Sequence, residues 1–223
     1  MIDVEGARLH VRRYATPASA GTLLLFHGNG EVIADYDAAA PRFARAGVAL
    51  AVMDYRGYGR STGTPTLRAL ISDARSVADA IRPRVVMGRS LGGVAAHELF
   101  ARPIPGMEGV ILESTLFDLG NLIRRRGLVP PASFTEDERA AFEPAGKLAL
   151  GRLPLLVLHG ERDELIALDE ARSALAAAGT DGADKALVVV PGRGHNDVSR
   201  ADLYWEALEG FIARISPARP ARR

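Results

Sequence analysis

The sequence predicts an α/β fold in three layers: a mostly parallel sheet flanked by helices on both faces, with an N-terminal hairpin and a short insertion near residues 114–152. Three observations carry this expectation. Short continuous apolar runs recur along the chain, as strands buried on both faces of a parallel sheet require. Segments of helical apolar spacing lie between them, and such alternation implies parallel pairing through right-handed crossovers. The third is Gly88-Arg89-Ser90-Leu91-Gly92, a tight turn joining an apolar strand directly to a helical pattern. With 223 residues, the chain reads as one domain spanning 1–223.

The elements follow in order. Val4, Glu5-Gly6-Ala7 and the alternating Leu9, Val11 and Arg12 read as a hairpin, and residues 15–21 as a Pro/Ser/Gly loop. Thr22–Phe26 is a buried strand ending at His27-Gly28-Asn29-Gly30, and a helix is expected from about Asp35 to Ala46. Val48–Met53 is the next strand, ending in Asp54-Tyr55-Arg56-Gly57-Tyr58-Gly59. Leu67, Leu70, Ile71, Ala74, Val77, Ala78 and Ile81 then form the apolar stripe of a helix. The strand at Val85 and the helix after Ser90, running to about Arg102, come next. Strands follow at Gly109–Glu113, Leu155–Leu158 and Leu187–Val190. A last helix carries Tyr204, Leu208, Phe211, Ile212 and Ile215 on one face, and the tail from Pro217 is expected to be disordered.

Residues 114–152 interrupt the alternation. They hold a helical pattern with Leu119, Leu122 and Ile123, the run Arg124-Arg125-Arg126, and a second helix start where Thr135 and Glu138 have capping-box spacing. The segment is read either as a small lid at the active edge or as an ordinary crossover helix with an irregular connection.

Composition narrows the function classes. Hydrophobic residues make up 48% of the chain, ample for a core, and the net charge of +1 argues against a dedicated nucleic-acid binder. Cysteine is absent, which excludes disulfides, thiolate catalysis and cysteine-based metal sites. Met1-Ile2-Asp3-Val4-Glu5 has neither the basic start nor the apolar run of a signal peptide, and no stretch has membrane-spanning length. A cytoplasmic protein with no integral membrane segment, no cofactor and no metal is expected.

Gly-x-Ser-x-Gly occurs twice, at Gly88–Gly92 and at Gly59–Gly63. Ser61 is followed by Thr64-Pro65, which continues a loop, so it reads as a hydrogen-bonding loop serine. Ser90 sits at a strand–turn–helix junction, the context that exposes a nucleophile, and is the nucleophile candidate. Side chains at Gly88 and Gly92 would collide across so tight a turn.

A serine hydroxyl needs a positioned base, and the base needs a carboxylate. His10 lies in the hairpin, His97 in a helix, and His27 and His159 at strand ends. His195 lies in the loop after the last strand and is the candidate base. The strand before it ends in His159-Gly160-Glu161-Arg162-Asp163-Glu164; Asp163 is the preferred acid, by its distance from the strand end and its short side chain. Glu161 and Glu164 are read as facing solvent or pairing with Arg162, and Glu113 or Asp118 are alternatives for the acid. Oxyanion stabilisation needs two backbone N–H donors. Leu91, after the nucleophile, and Asn29, in the loop after the first buried strand, are the candidates. Arg89, charged inside the turn, either braces a loop or favours an anionic substrate, and bracing is the simpler reading.

Taken together, His27-Gly28-Asn29-Gly30, Asp54-Tyr55-Arg56-Gly57-Tyr58-Gly59-Arg60-Ser61, Gly88-Arg89-Ser90-Leu91-Gly92-Gly93, His159-Gly160-Glu161-Arg162-Asp163 and Gly194-His195-Asn196-Asp197 resemble the α/β-hydrolase superfamily over about residues 20–215. The chain is most similar to its small, nearly capless serine hydrolases, including the branch whose animal members remove palmitate from protein thioesters. It lacks the cysteine-rich, lipidated N-terminus of those relatives, so their substrate and location do not carry over. The resemblance implies an α/β-hydrolase fold, a Ser90–Asp163–His195 triad with Asn29 and Leu91 as oxyanion donors, and a structural role for Asp54 and Arg56. The function expected is a serine hydrolase of small-molecule acyl esters or thioesters working through an acyl-enzyme. A peptidase or amidase on the same triad and a non-catalytic binding protein on the same scaffold are the alternatives. Leu116, Phe117, Leu122 and Ile123 are candidates to line an acyl pocket or to belong to the core.

Overall fold

A computed structural model describes residues 1–16, 19–117 and 143–215. Two short strands, β1 (Ile2–Val4) and β2 (Ala7–Leu9), form the expected hairpin. The chain then continues as β3 (Val11–Tyr14), which joins the main sheet antiparallel to β5 (Ala49–Met53). The remaining strands are β4 (Thr22–Phe26), β6 (Val85–Arg89), β7 (Gly109–Glu113), β8 (Leu155–Gly160) and β9 (Lys185–Val190). The seven-stranded sheet has the order β3-β5-β4-β6-β7-β8-β9, parallel throughout except at β3.

Alternate residues of each central strand enter opposite cores, which is why these strands are apolar without a break. Leu24 and Phe26 of β4, Val86 of β6 and Val110 and Leu112 of β7 join the core on one face. That core is completed by α2 (Leu67–Ile81), α3 (Gly93–Ala101), α4 (Pro144–Leu150) and α5 (Leu168–Ala177). Leu23, Leu25, Val85, Met87 and Ile111 point the other way, against Phe43 of α1 (Ala40–Arg45) and Trp205, Leu208 and Phe211 of α6 (Asp202–Ile215).

The helices α4 and α5 are not among the elements read from the sequence, and one expected helix takes a different form. The pattern over Asp35–Ala46 splits into a 3-10 turn at Ile33–Tyr36 and the short α1, which carries Pro41 in its first turn. A proline lacks the N–H that a continuous helix would use and is tolerated only at a helix start. The sequence also leaves Asp73 unremarked; it is buried on α2 and receives two hydrogen bonds of 2.7 Å from Arg56. Residues 118–142, the greater part of the segment read as a lid or crossover, lie outside the described residues. So do Asp118, Leu119, Leu122, Ile123, the arginine run, the Thr135 capping box and the tail from 217. No helix among the described residues is long and apolar enough to cross a membrane.

The order of the sheet sets the location of the site. From β4 the chain crosses to β5 on one side and later to β6 on the other, so strand order reverses between β4 and β6. Ligands of open parallel sheets bind at such a switch point, beyond the carboxyl ends of the strands. Phe26 is paired with Gly88, so the loops bearing Asn29 and Ser90 leave the sheet side by side.

Candidate active site

Ser90 has φ of 49°, a left-handed conformation that is strained for any residue but glycine. The strain persists because its flanking glycines let three backbones pack within contact. A Cβ on Gly92 would lie 2.0 Å from the Phe26 carbonyl oxygen, and one on Gly88 would lie 2.6 Å from the Gly92 oxygen. Gly92 itself has φ of −61°, so close approach rather than backbone freedom requires glycine there. Gly92→Ala is therefore expected to destabilise the protein by about 3 kcal/mol or more, as overpacking against rigid backbone does. Denaturant unfolding monitored by circular dichroism measures this, and a variant as stable as the wild type contradicts it.

Three loops from three strand ends converge on the serine. His195 Nε2 is 2.9 Å from Ser90 Oγ, and His195 Nδ1 is 2.9 and 3.1 Å from the two oxygens of Asp163. With Asp163 ionised, Nδ1 carries the proton and donates it to the carboxylate, leaving the Nε2 lone pair for the serine hydroxyl. Asp163 is itself fixed: its Oδ1 accepts the Leu165 and Ile166 N–H groups, each at 2.9 Å. Burial alone would raise its pKa. Hydrogen bonds from His195 and the Ile166 amide outweigh burial and hold the carboxyl below its ordinary value.

His159, readable in sequence only as the end of a strand, is a further neighbour of the acid. Its Nε2 lies 3.0 Å from the Ile166 carbonyl and 3.6 Å from Asp163 Oδ2. Burial pushes its pKa down, which keeps the ring neutral. Donation from Nε2 to the Ile166 carbonyl then presents Asp163 with the positive end of an N–H dipole and no second full charge.

The remaining carboxylates take other roles. Glu113 turns away to receive Tyr204 Oη at 2.7 Å and Arg89 Nε at 3.1 Å, so it is engaged elsewhere than on His195. Glu161 is exposed to solvent, as expected, and there accepts the Gly192 N–H at 2.8 Å, closing the turn leading to the His195 loop. Ser61 Oγ donates to the Asp54 carbonyl and accepts from the His10 amide, the hydrogen-bonding loop role read for it. Asp54 Oδ1 accepts the Ile33 N–H at 2.8 Å, securing the segment after the Asn29 loop.

The oxyanion candidates stand at two adjacent strand ends. Leu91 is the second residue of the 3-10 turn Ser90–Gly92, where the first amides have no acceptor within the turn. Asn29 is held through its side chain, whose Oδ1 receives Tyr58 Oη at 2.7 Å. Next to Leu91 lies a hollow of about 170 Å³, lined by Tyr55, Tyr58, Pro65, Leu67 and Leu70 as well as by Leu91 itself. Of the residues expected for an acyl pocket, Leu116 packs on the core and Phe117 is buried beside the His97 ring. The hollow is built instead by the segment between β5 and α2 and by the first turns of α2.

Fold and constellation together define a class: an α/β-hydrolase-fold protein with a strained serine turn at the sheet's switch point. A family model, Hydrolase_4, described as "Serine aminopeptidase, S33", matches residues 17–135, more than half of the chain. The chain belongs to that family, within the α/β hydrolases, and membership supports a hydrolase. It is 29% identical to human "Alpha/beta hydrolase domain-containing protein 17C" over 90% of this chain and 60% of that protein. It is 27% identical to "Protein bem46" of Schizosaccharomyces pombe over 92% of this chain and 72% of that one. Among solved structures, the monoacylglycerol lipase of Paleococcus ferrophilus superposes with a TM-score of 0.72 at 16% identity, covering 94% of this chain and 100% of the lipase; this likeness is one of fold.

Proposed function

We propose that this protein is a serine hydrolase of carboxylic esters or thioesters, with Ser90 as nucleophile, His195 as base and Asp163 as the acid that orients it. The observation that carries the reading is the unbroken relay from Asp163 through His195 to Ser90, with 2.9 Å at each step. In this reading His195 Nε2 takes the Ser90 proton as Oγ attacks the acyl carbon. The amides of Leu91 and Asn29 receive the oxyanion. His195 then protonates the departing alcohol or thiol and finally activates the water that cleaves the acyl-enzyme.

The hollow beside Leu91 fits an acyl chain. A cavity of about 150 Å³ takes a benzene-sized apolar group, so the space here suits an acyl group of about six carbons. A second reading, a peptidase or amidase on the same residues, is favoured by the wording of the matching family's description.

A fluorophosphonate probe and two substrate panels test both. The probe is expected to label Ser90, and p-nitrophenyl esters from acetate to dodecanoate to be cleaved with a maximum near hexanoate. Turnover of aminoacyl p-nitroanilides exceeding that of every ester supports the second reading. An unlabelled protein overturns both.

A further inference from the structure

We infer that Arg89 is a positioning residue: its guanidinium clamps the oxyanion loop and the histidine loop onto the serine turn. The inference rests on the hydrolase reading above. Arg89 stands at the end of β6, one residue before the nucleophile, and its side chain runs back beneath the loops rather than into the substrate hollow.

It reaches three strand ends at once. Its Nη1 is ion-paired with Glu31, whose other oxygen accepts the Gly28 N–H at 2.7 Å and Tyr36 Oη at 2.7 Å. Through Glu31 it therefore holds the His27–Gly30 turn that presents the Asn29 amide. Its Nε pairs with Glu113 at the end of β7, which Tyr204 Oη holds from α6. Its Nη2 donates to Asn196 Oδ1 at 3.0 Å and lies 3.5 Å from the His195 carbonyl, inside the loop that carries the base.

These ties suit positioning rather than substrate recognition. A guanidinium is planar and has five donors in fixed directions, so it serves several acceptors with one geometry. Here four of them face Glu31, Glu113 and the histidine loop, and the two carboxylates already beside the group repel a free anion. Glu31, Glu113 and Asn196 belong to three different segments, so the group ties the oxyanion amide and the catalytic base to one frame. Gly28 is packed directly on it: a Cβ there would lie 2.5 Å from Arg89 Nη1.

A residue that fixes transition-state donors and the base affects kcat more than KM. Arg89→Met is expected to lower kcat on p-nitrophenyl butyrate on the order of 100-fold, the scale of a small misplacement of reacting groups. KM is expected to stay within about two-fold. Because that variant also strands the buried Glu113, Arg89→Met/Glu113→Gln is measured beside it, with Tm for each. The inference expects the double variant to regain Tm but not kcat, since Glu31 and Asn196 remain unheld. Arg89→Lys, which keeps the charge without the fork, is expected to leave kcat low as well.

Recovery of kcat with Tm in the double variant, or wild-type kcat in Arg89→Lys, means that Arg89 only neutralises Glu113 and overturns the inference. If Arg89→Met does not fold, Asn196→Ala and Glu31→Gln each remove one tie and are expected to lower kcat by about 10-fold; unchanged kcat in both overturns it too. Probe labelling of wild-type Ser90 separates this outcome from failure of the hydrolase reading.

Discussion

Ser90→Ala is expected to abolish ester hydrolysis, with kcat falling by about a million-fold. This corresponds to about 8 kcal/mol of lost transition-state stabilisation, at about 1.36 kcal/mol per factor of ten. The size follows from how the groups depend on one another. Without Oγ, His195 has no proton to take and no atom on which an acyl group is carried, so removing the serine disables its partners as well. Only oxyanion stabilisation and binding remain to accelerate attack by water. The substitution is also structurally mild: Ser90 is only partly buried, and its Oγ is engaged with His195. Backbone strain at φ of 49° is retained by alanine, so Tm is expected to change little. The measurement is kcat on p-nitrophenyl butyrate, with probe labelling in parallel. Residual activity within 100-fold of wild type sinks the role given to Ser90, whatever happens to stability.

Much of this arrangement was legible in the sequence because it depends on local rules. A strand buried on both faces must be continuously apolar, so β4, β5, β6, β7 and β8 announce themselves. A strand–turn–helix junction distinguishes Ser90 from Ser61 although both fit the same five-residue pattern. The order of strand ends then nominates Asp163 and His195 before any distance is known. What stayed hidden depends on distance in the chain. Arg89 meets Asn196 across 107 residues and Glu113 across 24, and no periodicity encodes either meeting. For the same reason Glu113 reads from sequence as a rival acid: it is a carboxylate at the right edge of the sheet. The structure separates the two: Glu113 is occupied by Arg89 and Tyr204, and Asp163 lies 2.9 Å from His195 Nδ1. The role of Asp73 is hidden likewise, because a charged residue on the buried face of α2 looks like a flaw in the stripe until Arg56 is brought to it.

Asp163→Asn is expected to lower kcat by about 10⁴-fold while leaving the fold intact, the consequence of holding the histidine in the wrong tautomer. The geometry around this carboxylate makes the prediction specific. Oδ1 accepts two backbone N–H groups, from Leu165 and Ile166, so the asparagine oxygen is fixed on that side. The amide NH₂ is thereby directed to the place of Oδ2, 2.9 Å from His195 Nδ1. There it donates to Nδ1, which must then be unprotonated, and the proton moves to Nε2. That nitrogen now faces Ser90 Oγ as a donor and no longer accepts the serine proton. The same NH₂ also approaches His159 Nε2, which already donates to the Ile166 carbonyl, so two donors face each other at about 3.6 Å. That contact is expected to lower Tm slightly, because both hydrogen bonds to the backbone survive. A kcat loss with Tm nearly unchanged separates the orienting role of Asp163 from a purely structural one. Equal activity of Asp163→Asn and wild type at neutral pH, by contrast, transfers the acid's role to another carboxylate, with Glu113→Gln the next variant to measure.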